Sequence, residues 1–498
     1  MREVMGDIYI ASLWVFVLGM YGVALLGVVR EALTQREPGS SLDEAAGLVP
    51  LNDALSVSMV AVAALGVTLL VRMGPMSVTG PQGFWWLGLP LDQRSMLRSR
   101  YFRLFAVAVV VAIVGFMPLA VAESDDWMSL LTALVMSGLL GAVAFCLAAT
   151  VQLQRLRARS LKVCLALIVA APLAILVAAL VYASGGNIDP FTKTLQFLPT
   201  FWPVLALTGD APWQIAAPAF VAVALWLSWI GRRLHLFRAE ELKEAGNASG
   251  YFAASLYFMD FRSAGLALRS GGSGSSRKPL LRLPGITGAF LSAIGTAFLR
   301  TPGLTSKTIA LCLIPAAALS VEGISRNAAL SLSVVVCAGI ACRLAATAAM
   351  PFADQPALES YFALRAQKAR RLHLLIPAGY LAVWGAGTFV ALAFFVPLGP
   401  LLALQIGVAV AGMAGASVRW AFRPVQDLSS PRSVQATALA GLIRGPDAFI
   451  LGAAPLAGAL YAGQASAVLV AVQLAAGVAA VLWATRLPGR RVRFEDLG

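Results

Sequence analysis

Few side chains in this sequence can act as nucleophiles, bases or soft metal ligands. Its five cysteines (Cys146, Cys164, Cys312, Cys337 and Cys342) each lie inside an apolar block, where a thiol behaves as a small hydrophobe. That placement argues against a disulfide framework and against a zinc site. The two histidines, His235 and His373, sit near arginines in polar connections and read as solvated loop residues. A built-in ATP motor needs a phosphate-cradling G-x-x-x-x-G-K-S/T loop, and the chain contains no Gly-Lys dipeptide at all. It also lacks an H-E-x-x-H helix and a G-x-S-x-G elbow. The sequence therefore predicts no catalytic residue, no metal and no cofactor in this chain. One enzymatic alternative rests on Asp43, Glu44, Asp125 and Asp126, which would suit a membrane transferase acting on a lipid-linked sugar. Solvated loop charge is the commoner role for such residues.

Residues suited to gripping a partner are easier to find. Gly80-Pro81 breaks one apolar stretch, an aromatic run (Phe84, Trp85, Trp86) follows, and Asp92 to Arg103 can form a short basic helix. Asp92, Arg94, Arg98 and Arg100 line that helix. The same order, aromatic then aliphatic then basic, returns at 358–371 with Arg365, Lys368 and Arg370. An interfacial anchor would explain one such run. Its recurrence at the corresponding place favours a docking helix for a cytoplasmic partner. Two apolar segments of sparse charge, 251–262 and 290–302, read as helices lying along the inner membrane surface. The second ends in Phe298, Arg300 and Pro302.

Positioning these runs is the work of the surrounding apolar blocks. The chain has 498 residues, 59% of them hydrophobic and only 12% charged, with a mean hydropathy of +0.80. Soluble domains carry about twice that share of charge. Charge-free windows such as 55–71 recur throughout, and crossing the hydrocarbon core takes roughly 20 apolar residues. Candidate spans fall at 8–29, 54–71, 104–122, 128–151, 163–183, 213–231, 308–322, 328–349, 374–396, 400–418, 447–463 and 466–485. The expectation is an all-α polytopic membrane protein of about 12 transmembrane helices. The first apolar stretch is too long for a signal peptide and reads as an uncleaved span.

With the amino terminus in the cytoplasm, all but five of the 38 Lys and Arg fall in inside connections or termini. The exceptions are Arg30, Arg36, Lys193 and Arg326 outside, and Arg343 within a span. Basic bias of this kind sets orientation, so both termini are expected in the cytoplasm. The net charge of +14 is then a signature of orientation, with no basic module for nucleic acid. Arg343 is placed to snorkel to the interface, Glu322 to sit at an outer edge, and Asp447 to start a helix. The external connection 184–212 (Phe197, Phe201, Trp202 and several prolines) is expected to cap the membrane surface, its aromatics anchored at the interface.

A Gly/Ser-rich linker, 271–276, lies near the midpoint. It divides the chain into a six-span half (1–231), a cytoplasmic linker with interfacial helices (232–305) and a second six-span half with a short basic tail (306–498). Connections 152–162 and 419–433 also correspond, which extends the parallel-repeat pattern seen in transporter folds.

On these residues the chain resembles type-two ABC exporter permeases, above all the large actinobacterial ones built from two six-span halves. Gly83 to Arg100 resembles their first cytoplasmic connection, and Thr296-Ala297-Phe298-Leu299-Arg300-Thr301-Pro302 resembles their interfacial elbow helix. Leu198-Pro199-Thr200-Phe201-Trp202-Pro203 resembles their external loop before the last span. The resemblance implies an exporter subunit for a hydrophobic or amphipathic substrate in a bacterial cell membrane. It implies a separate ATPase partner in two copies, which would carry ATP and Mg. It assigns docking to Asp92, Arg94, Arg98 and Arg100, and to Arg365, Lys368 and Arg370 in the second half. That half departs from the pattern by lacking the long external loop before its last span. The other transport reading is an ion-coupled carrier of twelve spans, against which the near absence of charge within the spans counts.

Overall fold

The structure is a computed structural model describing residues 48–78, 83, 93–124, 126–186, 193, 196–209, 213–257, 283–322, 325–355, 357–396, 399–422 and 445–485. It is helical, and among the described residues the sole β feature is an isolated bridge between Val49 and Val321. We number the helices α1 (Leu51–Met73), α2 (Gln93–Glu123), α3 (Trp127–Leu153), α4 (Arg157–Ala183), α5 (Trp202–Leu207), α6 (Trp213–Arg232), α7 (Ala239–Tyr257), α8 (Gly285–Leu299) and α9 (Leu304–Leu319). There follow α10 (Arg326–Ala346), α11 (Met350–Asp354), α12 (Ala357–Ser360), α13 (Ala366–Leu372), α14 (Leu375–Ala393), α15 (Pro400–Ala421), α16 (Pro446–Tyr461) and α17 (Ala467–Thr485).

Every candidate span within the described residues overlaps a helix. Among the described residues, nine helices are long and apolar enough to cross a membrane, or ten when the bent pair α8–α9 is taken as one span. The protein is an all-α, multi-pass membrane protein. Eleven of the twelve expected spans fall within the described residues. Span 8–29 lies outside the described residues, and α16, interrupted by Pro455, has only 16 residues. Prolines lie inside α2, α4, α6 and α9, as membrane-spanning helices tolerate where the freed backbone groups find other partners.

The described residues fall into two compact units, 48–257 with 320–322 and 325, and 283–319 with 326–485. In the first, α3 is the centre: α1, α2, α5 and α6 all pack on it, and α4 packs on α1. Tyr101 of α2 and Phe145 of α3 are fully buried at 5.6 Å between ring centres, and Tyr101 donates its hydroxyl to the carbonyl of Leu227 at 3.0 Å. The Trp226 indole donates to Thr150 Oγ1 at 3.0 Å, tying α6 to α3. The expectation for 196–207 needs correction. Phe201 and Trp202 are not interfacial anchors; both are buried, and α5 packs into the unit against α3. Six apolar residues with a proline at their start can satisfy their backbone in one short helix, so the loop enters the core at no polar cost. Phe197 alone of these aromatics is exposed.

The second unit repeats the neighbour relations. Its α15 is the centre, touched by α10, α14, α16 and α17, while α16 packs on α10. One close crossing has no side chains: a Cβ on Gly412 would meet the Gly452 Cα at 3.0 Å and the Gly477 Cα at 3.2 Å. Small residues bring helices this close in membranes, where burial of apolar surface drives nothing. Two buried glutamines then bond across the gap, Gln405 Nε2 to the Pro455 carbonyl at 2.9 Å and Gln473 Nε2 to the Gly452 carbonyl at 2.5 Å.

Candidate docking surfaces

Each unit carries one of the basic runs at the end of a helix pair. In the first unit, α1 stops at Gly74, whose left-handed φ of +78° turns the chain. Beyond Pro75, residues Met76, Ser77 and Val78 are buried and gripped from two sides. Gln152, at the end of α3, donates Nε2 to the Met76 carbonyl and accepts from the Met76 N–H, both at 3.0 Å. Arg157 donates to the Arg72 carbonyl at 2.9 Å. On the other side the Val78 N–H donates to the Leu242 carbonyl of α7 at 3.0 Å. Gly246 lies so close beneath that a Cβ there would fall 1.7 Å from the Val78 oxygen. The start of the connection toward α2 is therefore clamped by backbone bonds and has little freedom to slide.

Gly83 lies against Lys243 of α7, a Cβ there falling 2.9 Å from the lysine Cγ. Residues 84–92, Asp92 among them, lie outside the described residues. Arg94 and Arg98 are exposed, and Arg100 half-buried, on the first two turns of α2. Arg94 and Arg98 are four residues apart and share a face.

In the second unit the basic run is built as a buttressed turn. Residues 357–373 pass through α12 and α13 and reverse at Ala363, whose φ is +47°. His373 sits beneath this turn with no exposed surface. Its ring centre lies 5.1 Å from Phe290 of α8, 5.2 Å from Phe352 and 5.0 Å from Phe422, each edge to face. Its Nε2 lies 3.1 Å from Glu359 Oε1, and that pairing assigns the proton to Nε2. Phe362 packs on Phe290 at 5.2 Å. The expectation of a solvated His373 is thus corrected: three aromatic residues, distant in sequence, close over it.

The buttress sorts the basic residues. Arg365, Lys368 and Arg371 are exposed, and Tyr361 stands out from the turn with 81% of its surface accessible. Arg370 points the other way, its guanidinium 3.5 Å from the centre of the Phe422 ring. A planar guanidinium on an aromatic face packs as well as it pairs, so Arg370 belongs to the support. Tyr361 was absent from the sequence-predicted set. A signal existed, a tyrosine beside the Glu359-Ser360 pair in an otherwise apolar run, but spacing alone does not say which aromatic turns outward.

The elbow residues divide similarly. Helices α8 and α9 meet at 72°. Phe298 is buried, its ring 5.2 Å from Tyr380 of α14, whereas Arg300 and Pro302 are exposed at the bend. Lys307 donates to the Pro302 carbonyl at 3.2 Å. Of the isolated charges, Asp447 starts α16 as expected, accepting from the Gly445 and Ala448 N–H groups at 2.8 and 2.7 Å. The sequence did not reveal its partner 28 residues away. Arg419 donates Nη2 to Asp447 Oδ2 at 2.6 Å and Nε to Oδ1 at 3.1 Å, and lies 3.7 Å over the Trp483 ring. The Arg343 guanidinium is 5.8 Å from the Trp420 ring centre.

Among the described residues no three His, Cys, Asp or Glu side chains gather as metal ligands. The geometry offers exposed basic residues beside buried supports. No curated protein and no solved structure matches the chain. Residues 43–431 match the DUF6297 family, described as a family of unknown function, and the chain belongs to that family.

Proposed function

We propose that this protein is the membrane subunit of an ATP-driven exporter, with hydrolysis carried out by a separate soluble ATPase docked in two copies. The observation that carries this reading is the turn at 361–371. Exposed Tyr361, Arg365, Lys368 and Arg371 are held out from the bundle on an aromatic support of buried His373, Phe290 and Phe422. A surface meant only to anchor at an interface gains nothing from such a support, whereas docking rewards residues already held in place. Arg94 and Arg98 provide the corresponding surface of the first unit. The clamp on Met76 and Val78 would pass a push on that connection directly to α1, α3 and α7. Helix packing with two arrangements, biased from one side by nucleotide-driven movement, is the physical basis of such a machine. The substrate class in this reading is hydrophobic or amphipathic, ATP and Mg belong to the partner, and both termini lie in the cytoplasm of a bacterial cell.

Affinity purification of the chain in mild detergent tests the reading. The expected companion is a soluble protein bearing a phosphate-binding loop, with ATPase activity in the complex. Arg365→Glu combined with Lys368→Glu should reduce its recovery about tenfold or more, the loss expected when charge complementarity is reversed. Undiminished recovery would remove the docking assignment. Recovery of the chain alone, with transport driven by a proton or sodium gradient, would establish the ion-coupled reading instead.

A further inference from the structure

Helix α4 carries charge and apolar surface on a single line. From Arg159 its exposed positions step by three or four residues through Lys162, Ala166, Ala170, Leu173 and Val177, so they share one face. The other side, with Cys164, Ala171, Ile175 and Ala179, is buried, and α4 packs on α1. Val163 and Leu167 flank the line and are exposed too. From Val163 to the equally exposed Leu180 the apolar part measures about 26 Å at about 1.5 Å per residue, close to the depth of a hydrocarbon core. Arg159 and Lys162 therefore stand at the level of lipid headgroups.

The charge at the head of this line decides the partner. Arg157 turns away from it, donating to the Arg72 carbonyl at 2.9 Å and lying 3.8 Å from Glu244 of α7. The first turn of α4 holds no acidic residue, and among the described residues neither Arg159 nor Lys162 forms an ion pair. A guanidinium grips a phosphate through two N–H groups, and an ammonium adds a point charge. A second copy of the chain, packed on this line about a twofold axis along the membrane normal, would bring its own Arg159 and Lys162 to the same depth, like charge against like. A phospholipid meets both parts of the surface at once. We propose that this face of α4 binds an anionic phospholipid, its phosphate on Arg159 and Lys162 and its acyl chains along the apolar line. The site is independent of the docking surfaces and of what energises the protein.

The test is native mass spectrometry of the full chain, stripped of lipid in a neutral detergent and titrated with phosphatidylglycerol or with phosphatidylcholine of the same acyl chains. The first phosphatidylglycerol should bind about tenfold more tightly than the first phosphatidylcholine. Each basic group near an anionic headgroup strengthens binding about fivefold, so Arg159→Gln combined with Lys162→Gln should weaken phosphatidylglycerol about tenfold or more. Phosphatidylcholine binding should stay as it was, which also reports that the variant is folded. Arg232→Gln combined with Arg233→Gln, a pair exposed at the end of α6, should leave the first phosphatidylglycerol in place. Equal affinity of the native chain for the two lipids would overturn the proposal without recourse to any variant. Equal losses from the two double variants would overturn it too, since they would mean diffuse attraction to a basic surface. Glycerophosphoglycerol, the headgroup without its chains, should not compete at the lipid's concentration; competition there would assign the basic pair to a soluble phosphate and sink the lipid site.

Discussion

Removing the imidazole from beneath the second-unit turn should release the turn while leaving the bundle folded. His373 has no exposed surface and contacts three aromatic rings, so His373→Ala leaves an aromatic-sized cavity. Truncations of that size cost about 3–5 kcal/mol. Glu359, whose side chain is 19% exposed, loses its partner as well, but water can reach it and soften that loss. The turn reverses at Ala363 and continues into α14, so the cost falls first on the 357–373 segment. Local opening of a segment is governed by its own stability, and 3 kcal/mol raises the open population about a hundredfold. Trypsin reads this directly, because Arg365, Lys368 and Arg371 are exposed and need only local unfolding to be cut. The native chain in nanodiscs should resist cleavage at 365–371, and His373→Ala should be cut there about a hundred times faster. His373→Phe restores the ring without the Glu359 bond, and should recover most of the protection, since one hydrogen bond contributes about 1 kcal/mol. Equal cleavage of native and His373→Ala protein would refute the buttress, and with it the claim that the docking residues are held in place.

Two further outcomes follow from the geometry. Gly246→Ala puts a methyl group where the Val78 carbonyl lies, so it should break the clamp and lower the melting temperature in detergent; Gly250→Ala, on the same helix with open space around it, should be neutral or stabilising by up to about 1 kcal/mol. Asp126 caps α3 by accepting the Ser129 N–H at 2.6 Å, and hydrogen bonds from the Ser129 hydroxyl and N–H together hold its carboxyl below the usual carboxylate range. A group with a lowered folded pKa contributes stability above its unfolded value, about 3.9, and loses that contribution as pH falls through the folded value. Asp126→Asn should therefore be less stable than the native chain at neutral pH, with the gap closing in acid; a gap constant from pH 7 to pH 2 would disprove the cap.

How much of this was readable in advance depended on whether a property is local. Membrane spans were legible because hydrocarbon demands the same thing of every residue in a run of about twenty: apolar side chains and a backbone that satisfies itself. The long helices α1 to α4, α6, α9, α10 and α14 to α17 accordingly overlap the spans that hydropathy placed. The basic runs were legible for the same reason, since composition alone sets them apart. Which side chain faces outward was not. His373 sits in a stretch as polar as any loop, and only the arrival of Phe290, Phe352 and Phe422 from three other segments makes it a core residue. Arg370 and Arg371 are neighbours of one chemistry, yet one stacks on Phe422 and the other meets solvent. Phe201 and Trp202 carry the composition of an interface belt, but a six-residue helix with its own hydrogen bonds lets them enter the core. Gln152, Gly246 and the pairing of Arg419 with Asp447 gave no local sign, because their partners lie 28 residues away or more. Sequence alone determines what each segment can tolerate around it, since transfer from water to hydrocarbon acts residue by residue. The tertiary structure decides which segments meet, since packing and hydrogen bonding act between residues that only the folded chain brings together.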